Sequence, residues 1–352
     1  MPRRALAIAA SIGLLLAVAM PAAARNVNAD NTYAVNVIFS TASDASLVNG
    51  WGISHSGGSP WWVSNEGTRT STLYNLTNGL PPTKVGLTVT VAGGPTGQVN
   101  NGTTDFKVDA GTGLLPSRFI FATEDGTIKG WNGVGTTAIQ GAATPDAIYL
   151  GLAIGSVNGA NYLYAANFPA ARVDVFNGTW GDGSASLAGN FTDPNLPAGY
   201  APFGIQAIGN EIYVAYAAQA PGGEEELHGE GLGFVDAYGM DGTFHSRVAS
   251  QGDLNAPWGM AKAPAGFGKF SGDVLVGNFG DGRIHAYRAT ADGWEANGVV
   301  KGTDHRPISI DGLWGIGFGH GAATGSGPSN TLFFAAGPKD ETEGLFGSIT
   351  AP

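Results

Sequence analysis

The chain has 352 residues, no cysteine and a formal net charge of -11. Disulfide stapling is excluded, so stability has to come from a packed core, and nucleic acid is not expected as a partner because phosphate binding needs a basic surface. With 57 glycines and only 13% charged residues, the composition points to many short strands joined by tight turns.

The first stretch has the pattern of a secretory signal. Arg3 and Arg4 form a basic start, Ala5 to Met20 an apolar run, and Pro21-Ala-Ala-Ala24 a small-residue cleavage site. Residues 1–24 are therefore expected to be a signal peptide. Residues 25–352 are expected to be one domain, secreted or periplasmic and monomeric. The apolar run is too short for a membrane span, and nothing after it is longer.

Tyr33-Ala-Val-Asn-Val-Ile-Phe39 alternates partly and belongs to no larger unit. From Asn49 onward a unit returns about every 55 residues, a spacing that marks one supersecondary motif repeated. Each copy opens on a small turn leading to an apolar residue and Gly, followed by a β-rich run, a polar loop and a second β-rich run. The first copy is Asn49-Gly-Trp-Gly-Ile53, Trp61 to Gly67 and Ser71 to Tyr74. The second is the most divergent: Gly94 to Gln98, Arg118 to Gly126 and Thr127 to Trp131. The third runs through Tyr149 to Ala153, Tyr162 to Phe168 and Arg172 to Phe176. The fourth has Ala201-Pro-Phe-Gly-Ile205, Glu211 to Tyr216 and Gly233 to Tyr238. The fifth is the clearest, with Asn255-Ala-Pro-Trp-Gly-Met260 before Gly272 to Tyr287. The sixth has Asp311-Gly-Leu-Trp-Gly-Ile316, Thr331 to Gly337 and Gly344 to Ile349.

These runs are rich in Val, Ile, Tyr, Phe and Trp and bounded by turn formers, so they read as strands. Regular short strands at this period predict an all-β, six-bladed β-propeller with four antiparallel strands per blade. The last copy has about three strands. The segment 33–39 is expected to supply its fourth, closing the ring and removing an exposed edge.

In such blades the turn into the innermost strand and the loop between the two middle strands share one face. The predicted channel mouth on that face is walled by Trp51, Phe203, Trp258 and Trp314, with Asn255 and Asp311 beside them. These six are the candidate ligand-binding residues, since aromatic walls with a few convergent polar groups suit small molecules. The middle loops add carboxylates and amides. Glu66, Asn167, Asn278 and Asp340 are candidate ligands for one divalent cation, with Ca²⁺ favoured by hard oxygen donors. Glu66, Glu124 and His228 are candidate proton acceptors, His228 lying in the longest polar loop, Gln219 to Gly231. The structural alternative stays open for each. Asn-Gly and Asp-Gly pairs are ordinary turn chemistry, Asp281 in Gly-Asp-Gly above all. The Trp-Gly pairs at Trp51, Trp258 and Trp314 suit packing between blades better than they suit a stacking platform for a ligand ring. His55 and His320 follow innermost strands and are expected at the opposite face. No Gly-x-Ser-x-Gly elbow and no phosphate-binding loop occurs.

The phrases Ser117 to Ile128, Phe191 to Phe203, Leu275 to Gly282, Asp311 to Gly315 and Gly344 to Ile349 together resemble an uncharacterised family of exported bacterial proteins with a propeller-like fold. Some of its members carry a PEP-CTERM sorting tail. This chain departs from those, ending at Thr350-Ala-Pro352 without an apolar helix or basic cluster. At the level of fold the repeats are similar to NHL-type propellers and to gluconolactonase-like and streptogramin-lyase-like six-bladed enzymes. The lactonase resemblance implies a divalent metal at the channel mouth, in which Glu66, Asn167, Asn278 and Asp340 would take part.

Two functions follow. One is a binding propeller that takes a small molecule, glycan or extracellular protein at an acidic, aromatic mouth. The other is a metal-dependent hydrolase or lyase of a lactone or ester, with the cation polarising a carbonyl and Glu66, Glu124 or His228 accepting a proton.

Overall fold

The computed structural model describes residues 30–77, 79–321 and 323–352. The expected signal peptide, residues 1–24, lies outside them. Strand β1 (Ala34–Ser40) comes first. Blade 1 is β2 (Gly50–Ser54), β3 (Trp61–Asn65), β4 (Thr70–Asn75) and β5 (Thr83–Thr90). Blade 2 opens with β6 (Pro95–Asn100). A ribbon of β7 (Lys107–Asp109) and β8 (Leu114–Pro116) is inserted before β9 (Phe119–Thr123), β10 (Thr127–Trp131) and β11 (Ile139–Ala143). Blade 3 is β12 (Tyr149–Val157), β13 (Ala160–Asn167) and β14 (Arg172–Asn177). Blade 4 is β15 (Tyr200–Ile208), β16 (Glu211–Ala218), β17 (Gly233–Gly239) and β18 (Phe244–Ser250). Blade 5 is β19 (Pro257–Lys262), β20 (Val274–Asn278), β21 (Ile284–Thr290) and β22 (Gly293–Val299). Blade 6 is β23 (Leu313–Phe318), β24 (Thr331–Ala336) and β25 (Leu345–Thr350).

Each blade is a small antiparallel sheet, and the six form a six-bladed β-propeller. The N-terminal strand closes it as the sequence predicts. β1 pairs with β25 from Ala34↔Thr350 to Ser40↔Leu345, with an irregularity between Val37 and Phe39. Tyr33 just ahead of it is buried against Phe267 and Phe270 of blade 5 and donates its hydroxyl to Phe267 O at 3.1 Å. Blade 3 departs from the four-strand pattern. It has three strands, and its outer edge is completed by a single bridge, Phe176↔Asp182.

A repeated device at the innermost strands builds the channel. In every blade the pairing of the first two strands slips at the same place: Gly50/Ile53, Pro95/Gln98, Tyr149/Gly151, Pro202/Gly204, Pro257/Gly259 and Leu313/Ile316. A bulge re-aims the residue it carries. Just after it sits a glycine, and the six glycines close a ring. Gly52 abuts the backbone of Thr96, Gly97 that of Leu152, Gly151 that of Ile205, Gly204 that of Trp258, Gly259 that of Trp314, and Gly315 that of Trp51. A methyl group on Gly315 would lie 2.6 Å from Trp51 O, and one on Gly52 2.5 Å from Thr96 O. Only glycine allows backbones this close.

The apolar core lies between blades rather than in one mass. Separate clusters fill each seam, such as Tyr164, Ile205, Val214 and Tyr238 between blades 3 and 4. Blade 4 also carries a buried ion triad. Arg247 on β18 bridges Asp236 on β17 and Asp193 of the preceding loop, both carboxylates almost wholly buried. Among the described residues no helix is long and apolar enough to cross a membrane.

Candidate functional site

The bulge residues meet at the axis. Trp51, Leu150, Phe203, Trp258 and Trp314, from blades 1, 3, 4, 5 and 6, form one cluster with Phe168. Trp51 and Trp314 meet edge to face at 4.0 Å between centroids, and Trp258 donates its indole N–H to Leu150 O at 2.9 Å. Blade 2 contributes Thr96, whose hydroxyl bonds Tyr149 O at 2.5 Å instead of joining the rings. Trp51, Phe203, Trp258 and Trp314 are all at most 8% exposed. They therefore form a packed plug across the channel, in line with the packing reading of the Trp-Gly pairs, and their rings do not stand open to a ligand. The ring left partly open at the mouth is Phe279, stacked on Trp314 at 3.8 Å and met edge-on by His228 at 5.1 Å. The sequence reading missed Phe279, although it directly follows the candidate Asn278.

Carboxyl groups gather over this plug. Asn49 links the two layers. It is buried, accepts the Trp314 indole N–H at 3.0 Å, and donates to Glu66 Oε2 at 3.2 Å. Glu66 in turn is hydrogen-bonded to Glu124, and Gly94 passes against both carboxylates, 3.1 Å from Glu66 Oε1 for an added Cβ. Desolvation at the mouth, with the Glu66 charge beside it, pushes the Glu124 carboxyl up to about 8. Glu341 is pushed up to about 7 by desolvation and by Glu226 and Glu66. The turn that presents it is unusual. Lys339, Asp340 and Glu341 have consecutive φ of 58°, 51° and 63°. Left-handed backbone at non-glycine residues costs on the order of 1–3 kcal/mol each and gathers at functional sites.

The long loop of blade 4 rims the same mouth. It folds back through the bridge Gln219↔Glu226, and Gln219 Nε2 donates to Phe168 O of blade 3 at 2.9 Å. Asn255 of blade 5 accepts the Gly229 N–H at 2.7 Å and so anchors its far end. Glu225 and Glu226 thereby reach the fields of Glu124 and Glu341. His228 bonds Glu226 at 2.8 Å, which raises its pKa.

Of the expected cation ligands, only Glu66 joins this carboxyl cluster. Asn167 spends its amide within blade 3, donating to Asp174 Oδ2 at 2.7 Å and accepting from Ala170 N at 3.4 Å. Asn278 donates to Asp253 O and to Asp281, which is indeed a turn residue, but its own Oδ1 is buried without a partner. Asp340 is exposed on the left-handed turn. Among the described residues no three His, Asp or Glu side chains converge as a metal-holding group. Asp311 is also exposed and holds the Lys339 N–H at 2.9 Å, tying that turn down. His55 and His320 lie together at 5.9 Å, with His55 lining the opposite end of the channel.

This is a six-bladed propeller with a plugged channel and a desolvated carboxyl cluster over the plug. The chain belongs to a family that includes two proteins of Acanthamoeba polyphaga mimivirus. Uncharacterized protein R648 is 31% identical over 322 residues, 87% of this chain and 76% of the relative. Uncharacterized protein L690 is 29% identical over 339 residues, 90% of this chain and 86% of the relative. No family model matches the chain. Among solved structures, a streptogramin B lyase is similar at 12% identity over 91% of this chain and 98% of its own, with a TM-score of 0.45. A putative gluconolactonase is similar at 18% identity over 66% of this chain and 83% of its own, with a TM-score of 0.41. At these values the likeness says nothing of the site.

Proposed function

We propose that the protein is an exported binding propeller whose acidic mouth takes a small, positively charged organic ligand. The observation that carries this reading is the Glu66–Glu124 pair, desolvated and facing further acids, with Glu124 held up to about 8. Burying carboxyl groups against one another is unfavourable unless a proton or a cation neutralises them. A ligand ammonium or guanidinium would displace the shared proton, and Phe279 offers it a ring face. Export through a cleaved leader, and kinship with exported bacterial propellers, belong to the same reading. Calorimetric titration with spermidine and with arginine amide tests it. Binding should tighten from pH 6 to 9, release a proton, and disappear in Glu66→Gln/Glu124→Gln. Wild-type protein that takes up neither cation refutes it.

A hydrolase or lyase at the same mouth is the second reading, favoured by two observations. Glu124 keeps a proton beside Glu66, so an acid and a base sit within hydrogen-bond reach, as general acid–base hydrolysis of an ester or lactone requires. Asn278 Oδ1 is an unfilled hard donor of the kind Ca²⁺ takes. Since Asn167 is committed elsewhere, the set expected from the sequence does not fit one ion. A divalent cation at the carboxyl pair would draw on Glu66 and Glu124, with Asn278 Oδ1 the further donor that Asn278→Ala tests. Stoichiometric Ca²⁺ in the purified protein, lost in Asn278→Ala, would move the balance to this reading.

A further inference from the structure

At the end of the channel opposite the carboxyl cluster lies a cavity of about 500 Å³. It is framed by the ends of the innermost strands of all six blades, from Ser54 and Asn100 to Gln206 and Phe318. Nothing described above uses it. Its size is that of small-molecule sites, which combine apolar walls with a few fixed polar groups. Here the apolar walls are Ile53, Ile154, Met260, Ile316 and Phe318.

Two polar groups of the lining are unsatisfied. Gln98 is 5% exposed and gives both amide hydrogens away, to Gly52 O at 2.7 Å and Trp62 O at 2.6 Å. Those two carbonyl acceptors fix which end of the amide is nitrogen. Gln98 Oε1 is left buried with no partner, and so is Ser54 Oγ. A buried acceptor without a donor costs about 1–3 kcal/mol, and a native structure keeps one for a reason. The second innermost strand holds this glutamine where its neighbours have apolar side chains: Leu152, Ile205, Met260 and Ile316.

The chemistry of the lining selects its occupant. No Asp or Glu belongs to it, although the chain carries 28 of them, so a cation finds no counter-charge. Lys262 and His55 also belong to the lining, Lys262 with an interaction of its own, and the Gln98 oxygen, which can only accept, disfavours an anion beside it. What the Gln98 oxygen lacks is a hydrogen-bond donor, while the Ser54 hydroxyl can donate or accept. Asn100 and Gln206 add amides that both donate and accept. We infer that this cavity is a second ligand site, which binds a neutral polyhydroxylated molecule of about monosaccharide size through donors to Gln98 and Ser54.

Saturation-transfer NMR on the full chain tests this, with glucose, galactose, mannose and xylose as separate probes. At least one should receive saturation from the wild-type protein. Ala207→Trp, placed in the half-buried rim of the cavity, should abolish the signal. Leu114→Trp, on the exposed ribbon of blade 2, should leave it unchanged. Ser54→Ala guards against a misfolded Ala207→Trp and should weaken binding about fivefold, the loss of one hydrogen bond. The inference is overturned if none of the four sugars is saturated by wild type. It is equally overturned if the signal survives both Ala207→Trp and Ser54→Ala. Either result leaves the acidic mouth untouched, because none of these side chains reaches it.

Discussion

Glu124→Gln isolates the proton shared at the mouth. In the unfolded chain this carboxyl titrates near 4.5, and in the folded protein near 8. Between those values the native state holds a proton that the unfolded state has released. Stability from this proton is therefore complete below about pH 4.5 and is lost as the pH rises through 8. At 1.36 kcal/mol per pH unit the whole interval corresponds to about 5 kcal/mol. Solvent at the mouth screens the pair, so about 2–5 kcal/mol is the working range. Glutamine has the same shape, carries no charge at any pH and can still donate to Glu66. Guanidinium unfolding at pH 5 and pH 9 should show wild type losing about 2–4 kcal/mol more than Glu124→Gln, since part of the effect is already lost at pH 5. Glu341 and His228, both raised, add pH dependence of the same sign to both proteins; Glu341 also acts on Glu124, so a Glu124→Gln/Glu341→Gln double variant separates their shares. Equal losses in the two proteins would mean that Glu124 is not desolvated and that the carboxyl cluster is an ordinary hydrated surface.

The remaining predictions concern the scaffold. Gly315→Ala should destabilise by about 3 kcal/mol or more, because its methyl meets the Trp51 carbonyl rather than a movable side chain; chemical denaturation checks this, and a loss under 1 kcal/mol would remove the glycine ring as the cause of the close seams. Arg247→Met should cost about 3–5 kcal/mol by stranding Asp193 and Asp236. Burial leaves Asp236 with its pKa raised to about 6, so its share of that loss should shrink as the pH falls below 6, which melting curves at pH 5 and 8 will show. Asn255→Ala should free the Gly229 N–H and speed hydrogen exchange across residues 219–231, with a melting temperature close to wild type. Deleting residues 30–40 should expose β25 as an open edge and produce concentration-dependent aggregation by light scattering.

The ring was legible in the sequence because its grammar repeats. A turn, a bulge residue and a glycine recur at each innermost strand, and even the divergent second copy keeps Gly97 in place. The closing role of residues 33–39 followed from a last unit one strand short. The short blade 3 was not legible, since 3 strands followed by Phe176↔Asp182 read as well as four. The site was legible only as a location. Glu66, Glu124 and His228 do come to one mouth, but which loop side chains turn inward depends on hydrogen bonds no spacing encodes. Asn167 is drawn to Asp174, and Asn255 to the Gly229 N–H. The packing of the aromatic residues has a related cause. A bulge aims Trp51, Trp258 and Trp314 at the axis, and six blades leave no room there for a ring to stay exposed.

The places where local rules fail are informative in themselves. Backbone and core agree almost everywhere in this molecule: strands are β-branched and aromatic, seams are apolar, and the ion triad of blade 4 is paired. Departures occur elsewhere too, as at Phe106 and Phe191 with φ of 54° and 56° and at the unpaired His285 Nε2, but several gather at the two ends of the channel. One end has three consecutive left-handed residues presenting Glu341 and a carboxyl pair denied solvent. The other has Gln98 and Ser54 with oxygens left unpaired beside a cavity. None of these features strengthens the ring, and each lowers its stability. Local conflict of this kind persists in natural proteins chiefly where function retains it. The plug of Trp51, Phe203, Trp258 and Trp314 also separates the two ends, so a ligand at one cannot pass to the other. The two sites therefore stand as independent proposals, each with its own variants: Glu66 and Glu124 for the charged mouth, Ser54 and Ala207 for the neutral one.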